Sequence, residues 1–204
     1  MSLKNVTLFT IIGLAYIFIF RTIATIFPEI FISRLIIRIN SVVTLIAIIT
    51  PALFFYYFYN DYIPPEQTKF RKITFYALLG SLLIIILHLK SILKVFGIKI
   101  IFAPLVDIVF SLISSLLFLY FFIYFSKHLS GKKQYHLKFS TSLVIIGTVL
   151  IIVMRFMILF NYFYLGKFGW IWNYTRVMPF IVLPVVTFAF FSRFNFLLVF
   201  YKRQ

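Results

Sequence analysis

The chain has 204 residues, 63% hydrophobic and only 12% charged, with a mean hydropathy of +1.09. An average soluble domain is about a quarter charged, so this composition excludes an ordinary soluble fold and intrinsic disorder alike. Twenty Lys and Arg against four acids give a formal net charge of +16, and the absence of Cys removes disulfides, thiol nucleophiles and cysteine-based metal sites.

A bilayer-spanning helix takes about 20 mostly apolar residues, and apolar runs interrupted by charge clusters give six of them here. The fold class that follows is an all-α polytopic transmembrane helix bundle, a single domain over residues 1–204 with both termini on the same, inner side. Span one covers residues 6–27 and is stopped by Pro28 and Glu29. Its length, its Arg21 and its lack of a small-x-small cleavage site mark it as a retained anchor and not a signal peptide. The segment Pro28 to Arg38 reads equally as a short amphipathic helix in the outer interface or as a loop with span two starting earlier.

Span two covers residues 39–59, contains Pro51, and closes on the run Phe54 to Tyr59, which suits an interfacial aromatic belt. The most polar linker, Asp61 to Lys72, leads to span three at 73–93, span four at 100–125, span five at 139–163 and span six at 177–200. Pro51, Pro179 and Pro184 should kink their helices and release backbone carbonyls. Eleven Lys and Arg fall on the side of the termini and eight on the other, which orients both termini inward.

The basic excess is explained more simply by a membrane than by nucleic acid, because Lys and Arg flanking a span gain roughly 1 kcal/mol each at an anionic surface. The expected partners are therefore a bilayer with anionic headgroups, and other membrane subunits or further copies of the chain, with no nucleic acid. The Phe- and Ile-rich bias fits an AT-rich genome, hence a bacterial inner membrane or an organellar inner membrane.

Charged groups inside a span cost several kcal/mol unless they pair or meet water, and two lie well inside: Asp107 and Arg155. They sit 24 residues before and 24 after Gly131, so an antiparallel hairpin of spans four and five sets them level, and they are expected to form an intramembrane ion pair. The same register sets Ser114 level with Thr148. Asp107, Ser111 and Ser114 share one helical face, as do Thr141, Thr148 and Arg155 on span five and Thr74, Ser81 and His88 on span three. His88 lies at a similar depth to Asp107, so His88, Ser111, Ser114 and Thr148 are expected to join the pair in one polar cluster in the outer half of the bundle. Arg21, Arg34, Arg38 and Arg176 are the candidates for interfacial anion or lipid contacts. No metal set, Gly-rich phosphate loop or Ser-His-Asp arrangement is seen in the sequence.

The residues thus point away from catalysis and imply no cofactor or metal. The first functional reading is a non-catalytic subunit of a larger membrane protein complex. The second is a small transporter or channel using the intramembrane cluster, and the third a lipid-handling enzyme or sensor.

Overall fold

The computed structural model describes residues 2–27, 33–98, 104–129, 134–163 and 184–198, with the side chains of residues 25, 34, 104, 161 and 162 outside that description. Among the described residues there is no strand. Five long helices follow one another: α1 (Leu3–Ile26), α2 (Arg34–Tyr57), α3 (Thr68–Val95), α4 (Pro104–His128) and α5 (Tyr135–Phe163). A shorter apolar helix, α6 (Pro184–Leu198), comes after them. The five are long and apolar enough to cross a membrane. At 1.5 Å per residue, the 24 residues of α1 reach about 36 Å, against roughly 30 Å of hydrocarbon. The protein is an integral membrane helical bundle.

Local chemistry explains the helix ends. Ser2, in extended backbone, caps α1 by accepting the Asn5 N–H at 3.4 Å. α3 closes on Gly97, whose φ of +88° suits a residue without a Cβ. Ile98 N–H then bonds the Leu93 carbonyl and Gly97 N–H that of Lys94, satisfying the last carbonyls of the helix.

Of the two readings of the segment before span two, the earlier helix start holds: α2 begins at Arg34, so residues 34–38 belong to the spanning helix, while residues 28–32 lie outside the described set. α3 begins at Thr68, which places Lys69, Arg71 and Lys72 on a helix instead of in the polar linker. Pro51 sits inside a continuous α2, and the Ala47 carbonyl that its missing N–H would leave idle accepts the Thr50 hydroxyl at 2.8 Å. Beyond Tyr57 the chain winds through one π-helical turn, Phe58–Tyr62.

Consecutive helices pack as antiparallel neighbours, α1 on α2, α2 on α3, α3 on α4 and α4 on α5. α6 sets its rings against α2 and α4, with Phe191 4.8 Å from Phe54 and Phe190 5.1 Å from Phe122. The start of α1 (Leu3, Val6) and the late part of α6 (Phe190, Phe191, Phe194) share one core with the end of α2, the start of α3, the end of α4 and the start of α5. The start of α1 and the described end of α6 therefore lie at one end of the bundle, the proximal end; the opposite end is distal.

The proximal core is phenylalanine. Phe54, Phe55 and Phe58 from α2 and the turn after it, Phe70 from α3, Phe121, Phe122 and Phe125 from α4, and the three α6 rings form one buried network. The aromatic run at residues 54–59 is thus not the belt expected from its composition. Positions 54, 55 and 58 share one helical side and turn inward, at 0%, 1% and 0% exposure, while Tyr56 stands 51% exposed on the other side. Most contacts are edge-to-face, such as Phe55 on Phe121 at 5.0 Å and 83°, the arrangement the ring quadrupole favours by about 0.5–1.5 kcal/mol per pair.

Small residues bring the helices together elsewhere. A Cβ on Gly13 would stand 3.1 Å from the Cα of Ala47, and one on Gly80 would stand 3.3 Å from the Ser114 carbonyl. Such close approach is how helices associate in a solvent as apolar as their side chains. Buried hydroxyls at Thr7, Thr10, Thr74, Ser81, Thr141 and Thr148 each donate to the carbonyl four residues earlier, so burial leaves none of them wanting a partner.

Candidate functional site

The polar stripes predicted on α3 and α5 face inward. Thr74 and Ser81 are buried on α3, as are Thr141 and Thr148 on α5, and His88 and Arg155 continue these stripes, half-buried, into the distal half. What the helices do with those groups departs from the expected cluster.

Asp107 does not pair with Arg155. Its two carboxylate oxygens accept from the Lys90 ammonium of α3 at 2.7 and 2.6 Å, and this is the ion pair among the described residues. Helical rotation is the reason. The face of α4 turned toward α5 carries Ile108, Leu112 and Leu119, packed on Ile152, Ile158 and Leu159. Asp107 is one residue, about 100°, away from Ile108 around the axis. Its own stripe faces α3, where the Ser114 hydroxyl donates to the Gly80 carbonyl at 2.8 Å. Asp107 also stands in the first turn of α4, where the helix dipole favours a negative charge.

The remaining members of the expected cluster separate as well. The Ser111 carbonyl accepts the Ser115 hydroxyl, the Ser114 hydroxyl goes to α3, and Thr148 bonds within α5 to Val144, so these hydroxyls make no hydrogen bond between α4 and α5. His88 lies about 200° around α3 from Lys90 and so turns to the opposite side. There it faces the backbone of Ser41 on α2 and stands near enough to Arg21 on α1 to feel its charge. Its Nε2 is buried without a hydrogen-bond partner. The sequence analysis does not single out Lys90; its place on the same turn as His88 is the available signal for a role inside the bundle.

Arg155 is, with His88, one of the distal groups that hold a buried polar atom without a hydrogen-bond partner among the described residues. It sits on α5 between the buried Ile152 and Ile158, and its Nε is buried with no hydrogen-bond partner. Side chains lean toward the N-terminus of their helix, and α5 runs from the proximal to the distal end, so the Arg155 stem is directed back toward the middle of the bundle. That direction works against reaching out to distal water along the stem.

Of the four interfacial arginine candidates, Arg21 is half-buried in α1 and belongs to the inner setting of His88. Arg38 is exposed and lies over the Phe96 ring at 5.4 Å, tying the start of α2 to the end of α3. Arg34 is in the first turn of α2, its side chain outside the description; Arg176, with the neighbouring Trp170, Trp172 and Asn173, and Pro179 also fall outside the described residues. A second hydrogen-bonded group joins α1 to α2: Asn40 Oδ1 accepts from the Tyr16 hydroxyl at 3.0 Å and from Thr44 at 3.3 Å. Tyr16 and Asn40 were missed because neither is charged and each reads alone as an ordinary interfacial residue.

The Lys90–Asp107 bridge is only partly shielded, with side-chain exposures of 19% and 43%, so its coupling should be about 1 kcal/mol or less. A double-mutant cycle on thermal unfolding in mild detergent, using Lys90→Met and Asp107→Asn, should return that coupling, whereas the Asp107→Asn and Arg155→Met cycle should return none. A larger coupling in the second cycle would restore the Asp107–Arg155 pairing.

No protein-family model, curated protein or solved structure matches this chain.

Proposed function

We propose that the protein is a small membrane carrier for an anion, which enters the bundle from the distal end and is recognised by Arg155. The observation that carries this reading is at Arg155: its Nε is buried and has no hydrogen-bond partner among the described residues, while the described carboxylate of the distal half, Asp107, is engaged by Lys90. A cation held within a span costs several kcal/mol unless its counter-charge is supplied, and intramembrane ionisable groups of this kind mark ligand and ion pathways. Arg21, half-buried on α1, adds a second cation to the same half. The phenylalanine network fills the proximal half, and would be the closed side of such a carrier. With the termini inside, as the basic residues favour, the open side faces outward.

Flux through reconstituted proteoliposomes tests the reading. Loading with phosphate, sulfate, chloride or a small carboxylate in turn should reveal one anion whose counterflow depends on the protein, and Arg155→Gln should reduce that counterflow at least about tenfold, the loss of one charged hydrogen bond in a dry site. The competing reading is a non-catalytic subunit of a larger complex. It prevails if the chain leaves its native membrane in mild detergent with stoichiometric partners and the purified protein moves none of these anions.

A further inference from the structure

We propose a specific binding site for an anionic phospholipid at the proximal end, between the start of α3 and the end of α4. α3 opens with Lys69, Phe70, Arg71 and Lys72, and α4 ends on Tyr124, Lys127 and His128. Because α3 and α4 are antiparallel neighbours, these groups meet at one level. The Lys69 ammonium lies 5.7 Å above the Tyr124 ring. The His128 ring approaches the same Tyr124 ring to 4.2 Å and stacks on Phe70 at 5.4 Å. His128 Nδ1 is 2.8 Å from the Tyr124 carbonyl, and since a carbonyl can only accept, Nδ1 carries a proton and the bond fixes the ring beside Tyr124. Lys69, Lys127 and His128 are all exposed, and among the described residues neither Asp61 nor Glu66 forms an ion pair with them.

The Lys69 ammonium held over the Tyr124 ring, with the exposed Lys127 on the same helix end, suits a phosphate monoanion or diester. The apolar surface below the site decides the source of that phosphate. On α4, Lys127, Ile123, Tyr120 and Leu116 recur at four- and three-residue steps and form a single exposed stripe; on α3, Lys72, Phe75 and Leu79 form another. Each stripe places a lysine at the helix end and apolar side chains beneath it, the order of a phospholipid's headgroup and acyl chain. α4, at 25 residues, is about 37 Å long and brings these basic groups to headgroup depth.

The test is native mass spectrometry and thermal unfolding of the full chain in mild detergent, titrated with phosphatidylglycerol, phosphatidylcholine or inorganic phosphate. Phosphatidylglycerol should be retained and should raise the unfolding temperature, and the double variant Lys69→Gln, His128→Gln should weaken its binding about tenfold. All of the targeted side chains are exposed, and Lys94→Gln at the distal end should leave retention unchanged. Equal retention of phosphatidylcholine, or undiminished retention of phosphatidylglycerol by the double variant, overturns the proposal. Inorganic phosphate reproducing the full stabilisation would show a site for free anions and overturn the lipid assignment.

Discussion

Replacing Phe121 with alanine should destabilise the bundle by about 3–5 kcal/mol, the range for emptying a buried aromatic site. Phe121 has 0% exposure and touches Phe55 at 5.0 Å, Phe122 at 5.2 Å and Phe125 at 5.7 Å, with Phe58 and Phe70 beyond. In a lipid solvent the loss is not one of water exclusion, because exposed apolar groups are already comfortable there. It is the loss of close contacts, each worth only about 0.1–0.2 kcal/mol but numerous around a ring enclosed by other rings. Phe75, 45% exposed on α3, provides the comparison: its alanine variant should lie within about 1 kcal/mol of wild type. Equilibrium unfolding in mixed micelles reads both. Equal losses for the two variants would mean that the proximal network is not the structural centre of the bundle.

The second large effect is expected at Arg155, and its sign is the informative part. Had Arg155 been paired with Asp107, an apolar substitution would have stranded a buried carboxylate at a cost of about 3–5 kcal/mol. Asp107 instead keeps Lys90 when Arg155 is changed. Arg155→Met therefore removes an uncompensated charge from a setting of Ile152 and Ile158 and fills its space with an apolar chain of similar length. The ligand-free protein should become more stable by about 1–3 kcal/mol, while anion flux is lost. Stability gained at the expense of activity is the pattern of a site maintained for function.

These two regions also show what could be read from the chain. The six apolar helices, their antiparallel order and the inward orientation of the Thr74–Ser81–His88 and Thr141–Thr148–Arg155 stripes were legible, because depth and helical face follow from residue counting. Partner choice was not. About 100° of rotation separates Asp107 from the side of α4 that meets α5, and no single-sequence pattern fixes that angle. It is set by the Gly80–Ser114 approach, whose importance lies in backbone proximity. Lys90 escapes sequence reading for a related reason. A flexible four-carbon stem lets an ammonium near a helix end serve either the headgroups or a neighbouring helix, and only the position of α4 decides between them. The aromatic run at residues 54–59 misled in the opposite way, since composition suited an interface while the spacing of Phe54, Phe55 and Phe58 already described an inward face.

The most direct measurement is the unfolding temperature of wild type and Arg155→Met side by side in mild detergent, each with and without the anion panel. The account predicts that the variant is the more stable of the two without ligand, that at least one anion stabilises the wild type, and that this same anion leaves the variant unmoved. A variant that unfolds well below wild type, or that responds to the anions as wild type does, would contradict an unpaired Arg155 as the recognising charge.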